Sequence, residues 1–159
     1  MITPLNPDKR NKINLAGQWY GYFSYGKEYG DQLEGERVIF SFLIEDVFNK
    51  KFKGKCIELE GIGASTEVSI IEGFIEDQFI SFRKEYSTYS TIDEFGNEGK
   101  HEDLLQPRIS YTGTFNENNE IFSGSWEVWA NEIPAGEDTL VDIFTGKWEI
   151  SKDNNRYGL

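Results

Sequence analysis

Between about residues 15 and 151, large apolar side chains alternate with polar ones at a period of two, and the three-to-four spacing of an amphipathic helix is nearly absent. Turn-forming clusters divide this stretch into eight segments, at 15–25, 36–46, 51–60, 65–75, 79–86, 107–115, 120–130 and 140–151. The pattern predicts an all-β chain. It predicts one domain over 1–159, with mobile arms at 1–13 and 154–159, since no Pro/Gly/Ser-rich linker divides the chain.

A short motif, apolar-x-Gly-x-apolar, recurs on six of the eight segments. It appears as Leu15-Ala-Gly17-Gln-Trp19, Phe52-Lys-Gly54-Lys-Cys56 and Ile71-Glu-Gly73-Phe-Ile75. It returns as Tyr111-Thr-Gly113-Thr-Phe115, Phe122-Ser-Gly124-Ser-Trp126 and Phe144-Thr-Gly146-Lys-Trp148. Each glycine shares a face with two large residues. Glycine weakens a strand, so its repetition implies relief of crowding, as on the inner face of a small, strongly coiled barrel. The expected fold is an eight-stranded antiparallel up-and-down barrel. A two-sheet sandwich shows the same alternation, and pairing of the first strand with the last distinguishes the two.

The connections are uneven. Those at 47–50, 76–78 and 116–119 are short, whereas 26–35, 87–106 and 131–139 are long, with only 61–64 tight at the same end. Long loops at one end describe a cup with an open mouth, and a structureless 87–106 loop would serve as its lid. Acids gather in these long loops: Glu28, Asp31 and Glu34, then Asp93, Glu94, Glu98, Glu102 and Asp103, then Glu132, Glu137 and Asp138. Against Lys27 and Lys100 they put −9 of the formal −12 at the expected mouth. Such a surface repels nucleic acid and anionic membranes, and it would repel an anionic ligand. A neutral or cationic small molecule, or a basic protein partner, suits it better.

Composition narrows the chemistry further. Twelve Phe, eight Tyr and four Trp in 159 residues exclude a disordered chain. A single cysteine, Cys56, forbids an internal disulfide, and its inward parity makes it an inert enclosed thiol. The first ten residues lack the apolar middle of a secretory signal, so a cytoplasmic setting is expected. His101, the only histidine, falls in the acidic 87–106 loop and has no nucleophile-elbow motif to serve. One His and one Cys do not make a zinc set, and the loop acids lack the spacing of a calcium-binding hand. Gly26-Lys27 and Gly146-Lys147 sit in no phosphate-binding loop. No cofactor, metal or catalytic group is expected.

What remains is the interior. Following inward parity towards the mouth gives Phe23 and Tyr25, Val38 and Phe40, Glu58, Phe82, Lys84 and Tyr86, Ile109 and Tyr111, Trp126 and Val128, and Phe144. Aromatic walls with a few polar groups are the makeup of a ligand pocket. The candidate ligand-binding residues are therefore Phe23, Tyr25, Glu58, Lys84, Tyr86, Tyr111, Trp126 and Phe144, with Glu58 and Lys84 expected to meet if both point inward. The functional expectation is a non-enzymatic barrel for a neutral or cationic apolar ligand. The alternative is a filled barrel whose acidic rim engages a basic protein.

The Gly17-Gln18-Trp19 that heads the first segment of an eight-stranded meander resembles the first-strand signature of lipocalins, and the repeated Gly-x-aromatic pattern is similar to avidin-like barrels. Both belong to the calycin superfamily. The resemblance spans roughly 15–151 and implies that Trp19 plugs the closed end of a barrel able to hold small ligands. In lipocalins a late arginine packs across that Trp; the only candidate here beyond the last strand, Arg156, is displaced into the tail, so that role is not carried over. Avidin-like proteins bind biotin through an Asn and a Ser whose places are taken here by Gly21 and Tyr25, so biotin is not implied.

Overall fold

The computed structural model describes residues 13–86, 89–92, 98–101 and 108–159, the side chains of 89–92, 98–101, 130–134 and 139–140 excepted. The expected arm at 1–13 therefore lies almost wholly outside the described residues. Eight strands close an antiparallel barrel: β1 (Gly17–Tyr25), β2 (Arg37–Phe48), β3 (Lys51–Glu60), β4 (Ser69–Glu76), β5 (Phe79–Glu85), β8 (Ile109–Asn116), β9 (Ile121–Ala135) and β10 (Asp138–Ser151). Each pairs with its neighbour in sequence, and β1 completes the ring against β10 with Phe23 opposite Trp148. That pairing decides for a barrel over a sandwich. Among the described residues no helix is long and apolar enough to cross a membrane.

Burial alternates along β2 and β3 as the sequence predicts, because every second side chain points into the ring. The β2–β3 turn is held by two residues of left-handed backbone, Asn49 (φ 50°) and Lys50 (φ 67°), the geometry that matches the twist of a tight hairpin. The recurrent glycines receive a specific account. Trp126 lies across Gly146 of the neighbouring strand, and its Nε1 donates to the Ser24 carbonyl one strand further on, at 3.0 Å. Trp148 crosses Gly113 in the same way, donating to Thr112 and Ser125 carbonyls at 3.0 and 3.1 Å; a Cβ on Gly113 would stand 2.8 Å from its Cζ2. Glycine on one strand makes room for an indole from another.

Two connections differ from expectation. The 131–139 stretch is not a loop: β9 and β10 run on to a two-residue turn at Gly136-Glu137, interrupted by a register shift between Leu140 and Asp142. Beyond Val128 and before Gly146 these strands pair, among the described residues, only with each other, so the ribbon projects past the barrel. The 87–106 connection is not structureless either, since β6 (Tyr89–Ile92) and β7 (Glu98–His101) form a separate two-stranded sheet within it. The side chains of Glu98, Lys100, His101 and Glu132, and residues 93–94 and 102–103 altogether, lie outside the described residues, as does the lid expectation.

The end opposite the mouth is filled. Leu15, Trp19, Ile44, Phe52, Ile80, Phe122 and Ile150 are buried there, with Trp19 and Phe122 rings 5.4 Å apart. Trp19 Nε1 donates to the Leu15 carbonyl at 2.8 Å. The cation that packs across Trp19 is Lys152, not Arg156: its Nζ stands 5.2 Å from the ring and donates to the Ala16 carbonyl at 3.2 Å. The segment expected to be a free tail instead forms a 3-10 turn at Asn154–Tyr157, capped by the Asp153 side chain. It is anchored through Glu149, whose Oε2 accepts from Arg156 Nε at 2.8 Å and from the Tyr157 hydroxyl at 2.9 Å.

Candidate functional site

β1, β3 and β5 end, and β8 begins, around a cavity of about 170 Å³ at the mouth of the barrel. Seven of the eight sequence-predicted residues line it: Phe23, Tyr25, Glu58, Lys84, Tyr86, Tyr111 and Trp126. Phe144 does not; it packs 4.8 Å from the ring of Tyr29, which does line the cavity. Two larger depressions, about 680 and 540 Å³, lie outside the barrel, one beneath Trp19 and one on the outer face of β8–β10. Neither gathers buried charge as the mouth cavity does.

The polar groups of the cavity form one chain. Lys84 is 2 % exposed and Glu58 8 %. The Tyr86 hydroxyl donates to Glu58 Oε2 at 2.7 Å and also hydrogen-bonds Lys84, so it joins the two charges. Tyr111 is a second hydrogen-bond partner of Lys84. The Lys84 ammonium also faces three rings, at 4.5 Å from the Phe23 centroid, 5.1 Å from Tyr86 and 5.4 Å from Tyr111. Burial pulls its pKa down, but Tyr111, Tyr86, Cys56 and Glu58 push it up, and the net is well above the usual lysine range. Lys84 is a cation at neutral pH.

The phenols respond to the same surroundings. Burial pushes the Tyr111 hydroxyl up to about 12, with Lys84 pulling the other way, and raises Tyr86 still further. Tyr25 is also raised, by burial and then by Glu58; its hydroxyl donates to the Ile62 carbonyl at 2.6 Å. That bond holds the β3–β4 turn over the cavity wall, where Gly63 (φ 82°) leaves space for the phenol. Beneath the cavity, burial lifts the Cys56 thiol to about 11. It is an enclosed thiol, hydrogen-bonded with Ser69 and within electrostatic reach of Lys84 and Glu58.

Sequence reasoning missed Tyr29. It belongs to a 3-10 turn, Lys27–Tyr29, in a connection where period two no longer reports direction. The turn is fastened by Gly26 N–H donating to the Thr145 carbonyl at 2.8 Å and by Thr145 Oγ1 donating to Glu28 Oε1 at 2.8 Å. Tyr29 is thereby laid 4.8 Å from the Tyr25 ring and 6.0 Å from Trp126. The available signal was its place in the short Tyr25-to-Tyr29 spacing beside a glycine.

Chemically, the site is a small aromatic chamber with one ammonium, one carboxylate and several phenols, of which Tyr86 bonds Glu58. It can shelter a compact apolar body and present hydrogen-bonding groups at one wall. The chain matches no protein-family model, no curated protein and no solved structure.

Proposed function

We propose that this protein is a non-enzymatic small-molecule-binding barrel of calycin type, holding a compact, largely apolar ligand in the mouth cavity. The observation that carries the reading is the 170 Å³ chamber itself, walled by Phe23, Tyr25, Tyr29, Tyr111 and Trp126 and left open beside a packed barrel floor. Burying ligand surface against these rings supplies the affinity, at ~25 cal/mol per Å². Calycin kinship is supported by Trp19 at the closed end with Lys152 across its face. Of the neutral and cationic ligands expected from the acidic loops, the neutral class suits the cavity better, because Lys84 already occupies the ring faces a ligand cation would use. As part of the same reading the protein works in the cytoplasm, where a lone thiol such as Cys56 stays reduced.

The test is a fluorescence titration with one-ring aromatic compounds at low and high salt, since Trp126 lines the cavity. Saturable quenching that survives salt is the expected result. A response abolished by salt favours a basic protein partner of the acidic loops instead, and no saturable response means the chamber takes no ligand.

A further inference from the structure

The outward side of β3 and β4 departs from the rest of the barrel surface. Outward positions of a solvated strand are normally polar. Yet nine of the twelve large apolar residues exposed among the described ones fall between Val47 and Phe79. Phe74 and Phe79, with rings 6.2 Å apart, lie at the floor end of this face, with Phe48 at the β2–β3 turn. Ile57, Leu59 and Ile70 continue it towards the mouth, each close to half exposed. Single apolar residues on a surface need no explanation, whereas a contiguous patch marks a contact.

Charge on the same face says what covers it. The register sets Asp46 opposite Lys53, Lys53 opposite Glu72 and Glu72 opposite Arg83, so one row across four strands alternates in sign. Lys53 and Glu72 pair at 3.7 Å, yet their side chains stay 65 and 56 % exposed and open to a second partner. The row nearer the floor sets Phe48 opposite Lys51 and Lys51 opposite Phe74. With strands aligned, this face can be laid on a copy of itself in two ways. A half-turn about an axis crossing the strands sets the column Lys51, Lys53 and Lys55 against its own copy, and like charges repel. A half-turn about an axis between β3 and β4, parallel to them, sets Lys53 over Glu72 of the other copy and Glu72 over its Lys53. The same half-turn lays Lys51 over a Phe74 ring and the aliphatic residues of β3 against those of β4. We infer that the outer face of β3 and β4 is a two-fold interface on which the chain pairs with a second copy of itself. Such a contact makes each interaction twice and closes at two copies. Convex barrels meet over their two central strands, so the interface is at the small end of the specific range and the dimer is reversible. Because the axis runs along the strands, both mouths face the same way. The inference does not depend on what the mouth cavity holds.

Sedimentation equilibrium of the native chain, from micromolar to about millimolar concentration, should give monomer and dimer with no larger species. Lys53→Glu and Glu72→Lys each place like charges across the axis twice, so either alone should weaken the dimer about tenfold or more. An equimolar mixture of the two variants should recover a one-to-one dimer of near-native affinity, because each copy then meets its complement at both positions. A purely intramolecular ion pair gives no such recovery, since neither variant regains its own partner. Glu72→Lys mixed with Lys147→Glu, whose change lies on the outer face of β10, controls for general charge attraction and should not recover. In the native protein, the amide resonances that shift on dilution should be those of β3 and β4, a reading that needs no variant to fold. A chain still monomeric at about 1 mM, species larger than a dimer, dimerisation unimpaired in either variant, equal recovery in both mixtures, or dilution shifts on another face would each overturn the two-fold interface.

Discussion

The hydroxyl of Tyr86 donates to Glu58 Oε2 at 2.7 Å, and through it a buried carboxylate and a buried ammonium belong to one hydrogen-bonded unit. Such units are costly when one member is missing, because the remaining group keeps its desolvation penalty without its partner. Tyr86→Phe keeps the ring and deletes the donor, and should lower unfolding stability by about 1–3 kcal/mol. A urea titration checks this. A Tyr86→Phe midpoint equal to the native one would mean that Glu58 takes its hydrogen bonds from water.

Glycine 146 makes a sharper prediction, because Trp126 and the Ser24 carbonyl occupy the space a methyl group would enter. Gly146→Ala should cost about 2–4 kcal/mol or prevent folding, since neither the backbone nor the wedged indole has room to yield. Gly136 stands at the tip of the projecting ribbon with open space around it and φ 68°, so Gly136→Ala incurs only backbone strain, about 1 kcal/mol. Thermal unfolding of the pair separates crowding from conformational strain.

Alkaline pH should weaken the fold, with Tyr111 one contributor among several raised phenols. Tyr111 is held as a neutral phenol up to about 12, mainly by burial, against an ordinary value of 10.0. Between those values the unfolded chain has released a proton that the folded chain retains, so stability is full below pH 10 and falls as pH rises. The loss from this group amounts to roughly 2–3 kcal/mol. Lys84, raised above its ordinary 10.5, acts in the same sense. Urea midpoints between pH 8 and 11 should show the decline, and Tyr111→Phe should flatten its slope.

Cys56 is 2 % exposed, and burial lifts its thiol to about 11, so little thiolate exists at neutral pH. Native protein at pH 8 should resist a thiol-specific disulfide reagent for hours and release one equivalent at once in urea. Rapid reaction of the native protein would show that the barrel opens readily at β3 and β4.

The strands and their inward faces were legible because a strand exposes alternate residues, and in a closed ring the same parity holds from turn to turn. That rule alone brought Phe23, Lys84, Tyr86 and Tyr111 together from three strands. It failed where backbone leaves the strand: Tyr29 is aimed by a 3-10 turn, and its direction depends on hydrogen bonds to Thr145, far away in sequence. Parity also says which face a side chain shares but not how far along the barrel it reaches. For that reason Phe144 was grouped with the cavity and in fact backs Tyr29. Arg156 was not given the place across Trp19 because it lies in the tail, and the cation that stands there is Lys152, immediately beyond β10. The ribbon formed by β9 and β10 was read as a loop because its polar, Pro-containing stretch lacks the alternation of a buried strand; projecting beyond the barrel, it has no core face to encode.

The seam between β1 and β10 joins Phe23 to Trp148, about 125 residues downstream. During synthesis, at about 5–20 residues per second, the first strand therefore waits roughly 6–25 seconds for the partner that covers its open side. Until then Tyr22, Phe23 and Tyr25 stand on an unpaired edge next to β2, a template for any passing strand. Growth in the cell thus selects for whatever shields that nascent edge, and a chain cut before β10 should be an aggregating species rather than a smaller barrel.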